Sequence, residues 1–172
     1  MTGQENRRAA FSPHTEAQLG RAEAICLRRG ARLTELRREV LGLVLEAENA
    51  TGAYELLERL RHARPGAAPP TVYRALDFLL ANGLIHRIER LSAFVGCVAH
   101  EEGGHAAQFL ICRNCGRVTE LDDHELSEAL AASARRQGFA VSGATIEAEG
   151  LCRDCASAIS ADRRAHEAAC SV

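Results

Sequence analysis

The sequence predicts an α+β fold in two parts, and three observations carry that prediction. Helical periodicity fills residues 15–83, alternation with period two takes over at Leu84, and two Cys-x-x-Cys pairs bracket a mixed segment in the second half. The 172 residues, 47% of them hydrophobic, suffice for one domain of ordinary size or two small ones with cores.

Residues 1–14 show no usable periodicity and are expected to form a flexible arm. In TEAQLGRAEAICLRR, residues 15–29, Leu19, Ala22, Ile25 and Cys26 share one helical face, and Gly30 suits the left-handed cap. Thr34 can cap a second helix reaching about Glu46, with Leu36, Val40, Leu43 and Val44 as its apolar stripe. Thr51 can cap a third, through Leu56, Leu57 and Leu60. RPGAAPP then breaks the chain, and Pro70 stands where a first-turn proline is tolerated, ahead of TVYRALDFLLAN and Gly83. LIHRIER and SAFVGCV alternate as two strands around a tight turn at Leu91 and Ser92. Four helices followed by a hairpin suggest a winged helix-turn-helix. Beyond the glycine-containing HEEGGH, AAQFLI reads as a strand, residues 123–137 as an amphipathic helix ending at Gly138, and FAVSGATIEAEGL as one or two strands. The second half is a small α/β domain.

Composition excludes several classes. There is no apolar run of about 18 residues, and the opening MTGQENRRAAFSPHTEAQLG lacks the apolar stretch of a secretion signal, so a cytoplasmic protein without membrane contact is expected. Residues 1–92 carry a net charge of +3 and residues 93–172 one of −5, within a chain total of −2. That basic bias permits nucleic-acid contact without requiring it. All 21 basic residues are arginine, which with the abundant alanine reflects genome composition. With no HExxH, nucleophile elbow or phosphate loop, the chain is not expected to be an enzyme.

Seven cysteines, an odd number, point away from a disulfide framework and toward metal binding or free thiols. Cys112, Cys115, Cys152 and Cys155 can present four thiolates to one zinc ion, each knuckle aiming two sulfurs at a point. The spacing between pairs exceeds the usual zinc ribbon and leaves room for a helix and strands. A site with four sulfurs has no open position, so it should fold the domain. His86, Cys97, His100, Glu101, Glu102, His105 and Glu120 crowd the junction between the two parts, and pattern alone does not select four of the seven. Cys26 falls on a buried stripe, His124 reads as a cap or surface residue, and His14, His62, His166 and Cys170 have no assignment. In TVYRALDFLL, Val72, Leu76 and Leu79 or Leu80 turn toward the core, leaving Thr71, Tyr73, Arg74 and Asp77 outward. From a helix in the major groove Arg74 can reach a guanine edge with both guanidinium nitrogens.

PPTVYRALDFLLANGLIHRIE, followed by FVGC, HEEGGH, CRNCGRVTEL and GLCRDC, resembles the ferric uptake regulator superfamily, and within it the zinc uptake regulators, over residues 18–157. The resemblance implies a homodimer that binds a double-stranded DNA operator and represses zinc-uptake genes. It divides the chain into an arm (1–14), a winged-helix DNA-binding domain (15–96), a hinge (97–106), a dimerisation domain (107–158) and a disordered tail (159–172). Two zinc ions per protomer are implied: a structural one on Cys112, Cys115, Cys152 and Cys155, and a regulatory one whose ligands match by motif His86, Cys97, His105 and Glu120. One thiolate, two imidazoles and one carboxylate suit zinc, and the soft Cys97 argues against iron. His100, Glu101 and Glu102 fall outside the motif, and the hinge lacks an HxH for a third site. The DNA contacts implied are Tyr54 and Arg74, with Thr71 and Tyr73 on the same reading face. Arg32, Arg37 and Arg38 are expected on phosphates; Glu58 and Arg61 could pair between adjacent dimers, an intrahelical i,i+3 pair being the simpler reading.

Overall fold

The computed structural model describes residues 11–97 and 107–159. Contacts divide the chain into two units, residues 1–103 and 104–172.

In the first unit, α1 (Pro13–Arg28), α2 (Glu35–Leu45), α3 (Ala53–Ala63) and α4 (Pro69–Ala81) precede the hairpin of β2 (Ile85–Ile88) and β3 (Ala93–Gly96). This is a winged helix-turn-helix, with α3 and α4 as the helix pair. The helices exist because their apolar stripes meet: Leu19, Leu41, Leu56, Leu60, Leu76 and Leu79 are all fully buried in one cluster. Each leucine so buried contributes roughly 1.5–3 kcal/mol from water exclusion. The stripes expected on all four helices are in place, with Leu36 half-buried and Leu41 added.

Two boundaries differ from the sequence reading. Helix α1 begins at Pro13, because the Ser12 hydroxyl accepts from the Thr15 N–H at 3.2 Å and the proline occupies the first turn. Phe11 lies against Gly42 of α2, where a Cβ would fall 2.3 Å from the ring, so a larger residue at 42 would displace Phe11. Residues 11–14 therefore belong to the unit, not to an arm; residues 1–10 lie outside the described residues. The second difference is Thr51, expected as a helix cap. It forms β1 (Thr51–Gly52) instead, pairing with Phe94 of β3, while Gly52 takes the cap position of α3. Long-range pairing to the wing outweighs the local capping preference. The resulting antiparallel sheet has the order β1-β3-β2, and its hairpin register sets His86 opposite Val95. Ser92 makes the expected turn at φ 48°, its N–H bonding the Glu89 carbonyl at 3.1 Å.

Two polar ties brace this unit. The Glu46 carboxylate, just past α2, accepts from the Ser12 N–H at 2.8 Å. The Thr15 and Ser12 hydroxyls, with that N–H, hold its pKa down to about 2. Glu39 of α2 is the one buried carboxylate among the described residues, 8% exposed, and it accepts a hydrogen bond from the Arg64 guanidinium.

In the second unit, β4 (Ala107–Cys112) is central, flanked by β5 (Val118–Leu121) and β6 (Thr145–Gly150) in the order β5-β4-β6. β5 is antiparallel to β4, whereas β6 is parallel to it from Ala107↔Thr145 to Cys112↔Gly150. A parallel neighbour needs a crossover, and α5 (His124–Arg136) lies within it. Asp123 caps α5 by accepting from the Leu126 N–H at 3.0 Å. Buried Gln108 ties the start of α5 to β4, donating to the Asp123 carbonyl and the Ser127 hydroxyl at 2.7 Å each. Among the described residues only one strand follows α5, and residues 153–159 are helical.

Candidate metal centres and nucleic-acid interface

The first cysteine knuckle closes the end of β4. Cys112 is the last residue of the strand, its carbonyl accepts from the Gly116 N–H at 2.9 Å, and its own N–H donates to the Arg117 carbonyl at 2.9 Å. That turn needs φ 72° at Gly116, a value only glycine adopts without strain. The second knuckle follows β6 and opens the 153–159 helix. The Arg113 N–H reaches the Gly150 carbonyl at 2.9 Å, so the two knuckles hang on neighbouring strand ends.

All four sulfurs lie within 4.8 Å of one another, with Cys115 and Cys152 at 3.8 Å. A zinc tetrahedron with bonds of about 2.3 Å has edges of about 3.8 Å, so the set fits such an ion. The surroundings favour thiolate charge at defined atoms. The Cys152 N–H donates to Cys112 Sγ at 3.3 Å, and the Asn114 amide to Cys155 Sγ at 3.2 Å. Cys112 is pushed down to about 6 by the Cys152 N–H first, then by that of Cys115. At Cys155 the Asn114 amide acts downward, but the Cys152 thiol, burial and the remaining thiols outweigh it and push the group up to about 12. Four thiolates so close cannot all carry charge without a cation among them. Asn114 and the Arg117–Asp154 ion pair at 3.0 Å support the site and were not read from the sequence. The asparagine inside CRNC was the available signal.

Of the other expected ligands, His86 and Cys97 belong to the first unit. His86 is on β2 and half-buried. Cys97, 3% exposed, follows β3 and is pinned by its N–H on the Leu84 carbonyl at 2.9 Å. Their ligand atoms lie within 4.8 Å of each other. Glu120 is in the second unit, exposed on β5 opposite Phe109. His105, with His100, Glu101 and Glu102, lies outside the described residues, as do His166 and Cys170. Cys26 is in the core as expected, and its burial raises its pKa.

Helix α4 buries Val72, Ala75, Leu76 and Leu79, which turns Tyr73, Arg74 and Asp77 outward and leaves Thr71 half-buried at the first turn. Tyr73 is 55% exposed, and Tyr54, at the start of α3, is 75% exposed. A tyrosine this exposed contributes little to a core. Among the described residues Arg74 makes no hydrogen bond or ion pair. Arg61 pairs with Glu58 at 2.7 Å, within the helix. Two of the three arginines expected on phosphates have other partners: Arg37 stacks over the Phe78 ring at 3.6 Å and Arg38 pairs with Glu16. Arg32 remains exposed. Those partners sit on neighbouring helices, which sequence spacing does not reveal.

Comparison with known proteins gives a consistent result. The model of the ferric uptake regulator family matches residues 28–149. The chain is 43% identical over 141 residues to the zinc uptake regulation protein of Escherichia coli (strain K12), covering 82% of each. It is 32% identical over 131 residues to the zinc uptake regulation protein of Mycobacterium tuberculosis (strain ATCC 25618 / H37Rv), covering 74% of this chain and 97% of that one. Among solved structures, a zinc uptake regulator complexed with zinc and DNA superposes with a TM-score of 0.81 at 40% identity, over 87% of this chain and 99% of the other.

Proposed function

Because the chain belongs to the ferric uptake regulator family, we propose that it is a zinc-responsive, DNA-binding repressor of zinc-uptake genes. It acts in the cytoplasm as a homodimer with two zinc ions per protomer. The observation that carries this reading is that the donors form two distinct sets. Four sulfurs close on one another in the second unit, while the His86–Cys97 pair belongs to the first unit, on and just after the wing that follows α4.

In this reading Cys112, Cys115, Cys152 and Cys155 hold a zinc that completes the fold of the second unit, and no position is left for exchange with solvent. His86, Cys97, His105 and Glu120 would hold the regulatory zinc, which would supply a common centre for one thiolate, two imidazoles and one carboxylate. The wing contributes His86, and Cys97 with His105 flanks the hinge at 97–106. DNA binding falls to the winged-helix domain ending at residue 96, extended back to Phe11, and dimerisation to residues 107–158. Supporting dimerisation, α5 buries none of its residues, and Leu110, Leu126, Leu130 and Phe139 are all exposed.

Tyr54, Thr71, Tyr73 and Arg74 read the operator, and Arg32 contacts phosphate. Two α4 helices of a two-fold dimer dock together only when their spacing matches one helical turn of DNA or a multiple. Zinc selects that spacing to the extent that it binds the docked form more tightly, and by reciprocity operator DNA tightens zinc binding by the same factor. No described helix is long and apolar enough to cross a membrane.

The test is zinc per protomer by elemental analysis before and after mild chelation, with operator binding followed at buffered free zinc. The expected result is two zincs, one of them removed together with DNA binding. A single tightly held zinc with zinc-independent DNA binding would overturn the regulatory site.

A further inference from the structure

The buried carboxylate of Glu39 has no part in either metal set or in the DNA face, yet it is tied to Arg64, five residues before α4 begins. Arg64 occupies the C-cap of α3, its N–H on the Leu60 carbonyl at 2.8 Å, and its guanidinium donates to Glu39 with Glu35 at 3.7 Å. From Arg64 the chain makes one turn, with the Ala67 N–H on the Arg64 carbonyl at 2.9 Å and the Ala67 carbonyl accepting from Arg61 Nε at 3.2 Å. Ala68 then caps α4 with no side-chain hydrogen bond, and Pro69 and Pro70 follow.

We propose that the Glu39–Arg64 pair is a positioning device for DNA reading, setting the angle at which α4 leaves the turn. This rests on α4 being the reading helix. Pro65, Pro69 and Pro70 have φ locked, and the two hydrogen bonds at Ala67 brace the turn between them, so a shift at Arg64 is passed on to the first helical residues. Arg74 lies six residues past Ala68, about 9 Å along the axis, so a tilt at the turn becomes a displacement at the guanidinium. Bidentate base contacts depend on planar alignment and lose specificity under such a displacement, whereas phosphate contacts tolerate it.

The far end of α4 is held in the same manner. Arg29 of the α1 cap donates to the Asn82 carbonyl, and Arg37 of α2 stacks on Phe78. Arginines thus act on the turn that leads into α4 and on its far end, while its middle is held by apolar packing. A buried ion pair is a poor source of stability, since apolar residues of similar volume serve as well. Its location at the root of the reading helix gives it a different use.

The test is the double substitution Glu39→Leu, Arg64→Met, which fills the site without charge and leaves half-exposed Glu35 in water. The probe is a duplex enriched by the zinc-loaded parent protein from a randomised library, set against unselected duplex. Expected are a melting temperature and zinc content close to the parent, unchanged affinity for unselected duplex, and at least a tenfold loss of preference for the selected one. Preference within twofold of the parent, in a folded protein, overturns the proposal. Glu39→Gln keeps the shape and is read in parallel: a smaller loss of preference supports positioning, and none overturns it should the double variant fail to fold. If the parent itself enriches no duplex, it is the DNA-binding reading that fails.

Discussion

Substituting Arg74 by alanine separates base reading from folding, because nothing in the described structure leans on that side chain. It is exposed on α4 and makes no hydrogen bond or ion pair with another described residue. A surface change of this kind costs within about 0.5 kcal/mol of stability, so the melting temperature should move by less than about 2 °C. A bidentate arginine–guanine contact discriminates by about 1–3 kcal/mol. A dimer presents two copies, giving roughly 2–6 kcal/mol, or at least about 30-fold at the low end. The assay is competition anisotropy with the zinc-loaded protein, operator against scrambled duplex, compared at each step of a salt series. Operator affinity should fall by that factor while scrambled-duplex affinity hardly changes. Equal losses on both duplexes, with a salt slope reduced by about one per protomer, would make Arg74 a phosphate contact and refute the base-reading argument.

The remaining predictions concern the donor sets and the helix ties. Cys97→Ser should leave a folded dimer that no longer responds to zinc in operator binding; a retained response would remove Cys97 from the regulatory site. Cys112→Ser should instead lose one tightly held zinc and the dimer, seen by elemental analysis and sedimentation, because the knuckle at the end of β4 cannot close on three sulfurs. Glu46 has a folded pKa depressed to about 2 by the Thr15 and Ser12 hydroxyls and the Ser12 N–H. Its stabilising effect is complete above the ordinary carboxylate range and is lost as pH falls toward 2. Melting of the parent should therefore decline more steeply than that of Glu46→Gln between pH 5 and pH 2.5, and parallel declines would discount the tie.

What the sequence revealed depended on whether a feature was local. The stripes of α1 to α4 and the two knuckles repeat at short spacing, and all of them are found in the fold. The outward face of α4 followed from the same period once Val72, Leu76 and Leu79 were turned inward. Thr51 was misread because its partner, Phe94, is 43 residues away in the chain. The start of α1 was missed because a serine cap, one proline and Phe11 define it without any period. Arg37 and Arg38 looked available for phosphate until Phe78 and Glu16 came beside them, and buried Glu39 gave no signal at all.

The parallel pairing of β4 with β6 also governs when the second unit can assemble. Cys115 and Cys152 are 37 residues apart, and closing a loop of that length costs roughly 3 kcal/mol beyond a constant, before any contact rewards it. The strand ladder from Ala107↔Thr145 to Cys112↔Gly150 must form for the sulfurs to converge. During synthesis, at about 5–20 residues per second, the first thiol pair waits roughly 2–7 s for the second. For that interval Cys112 and Cys115 are a thiol pair with neither β6 nor the second knuckle beside them, the period in which an oxidant or a competing soft metal has its best access to the nascent chain.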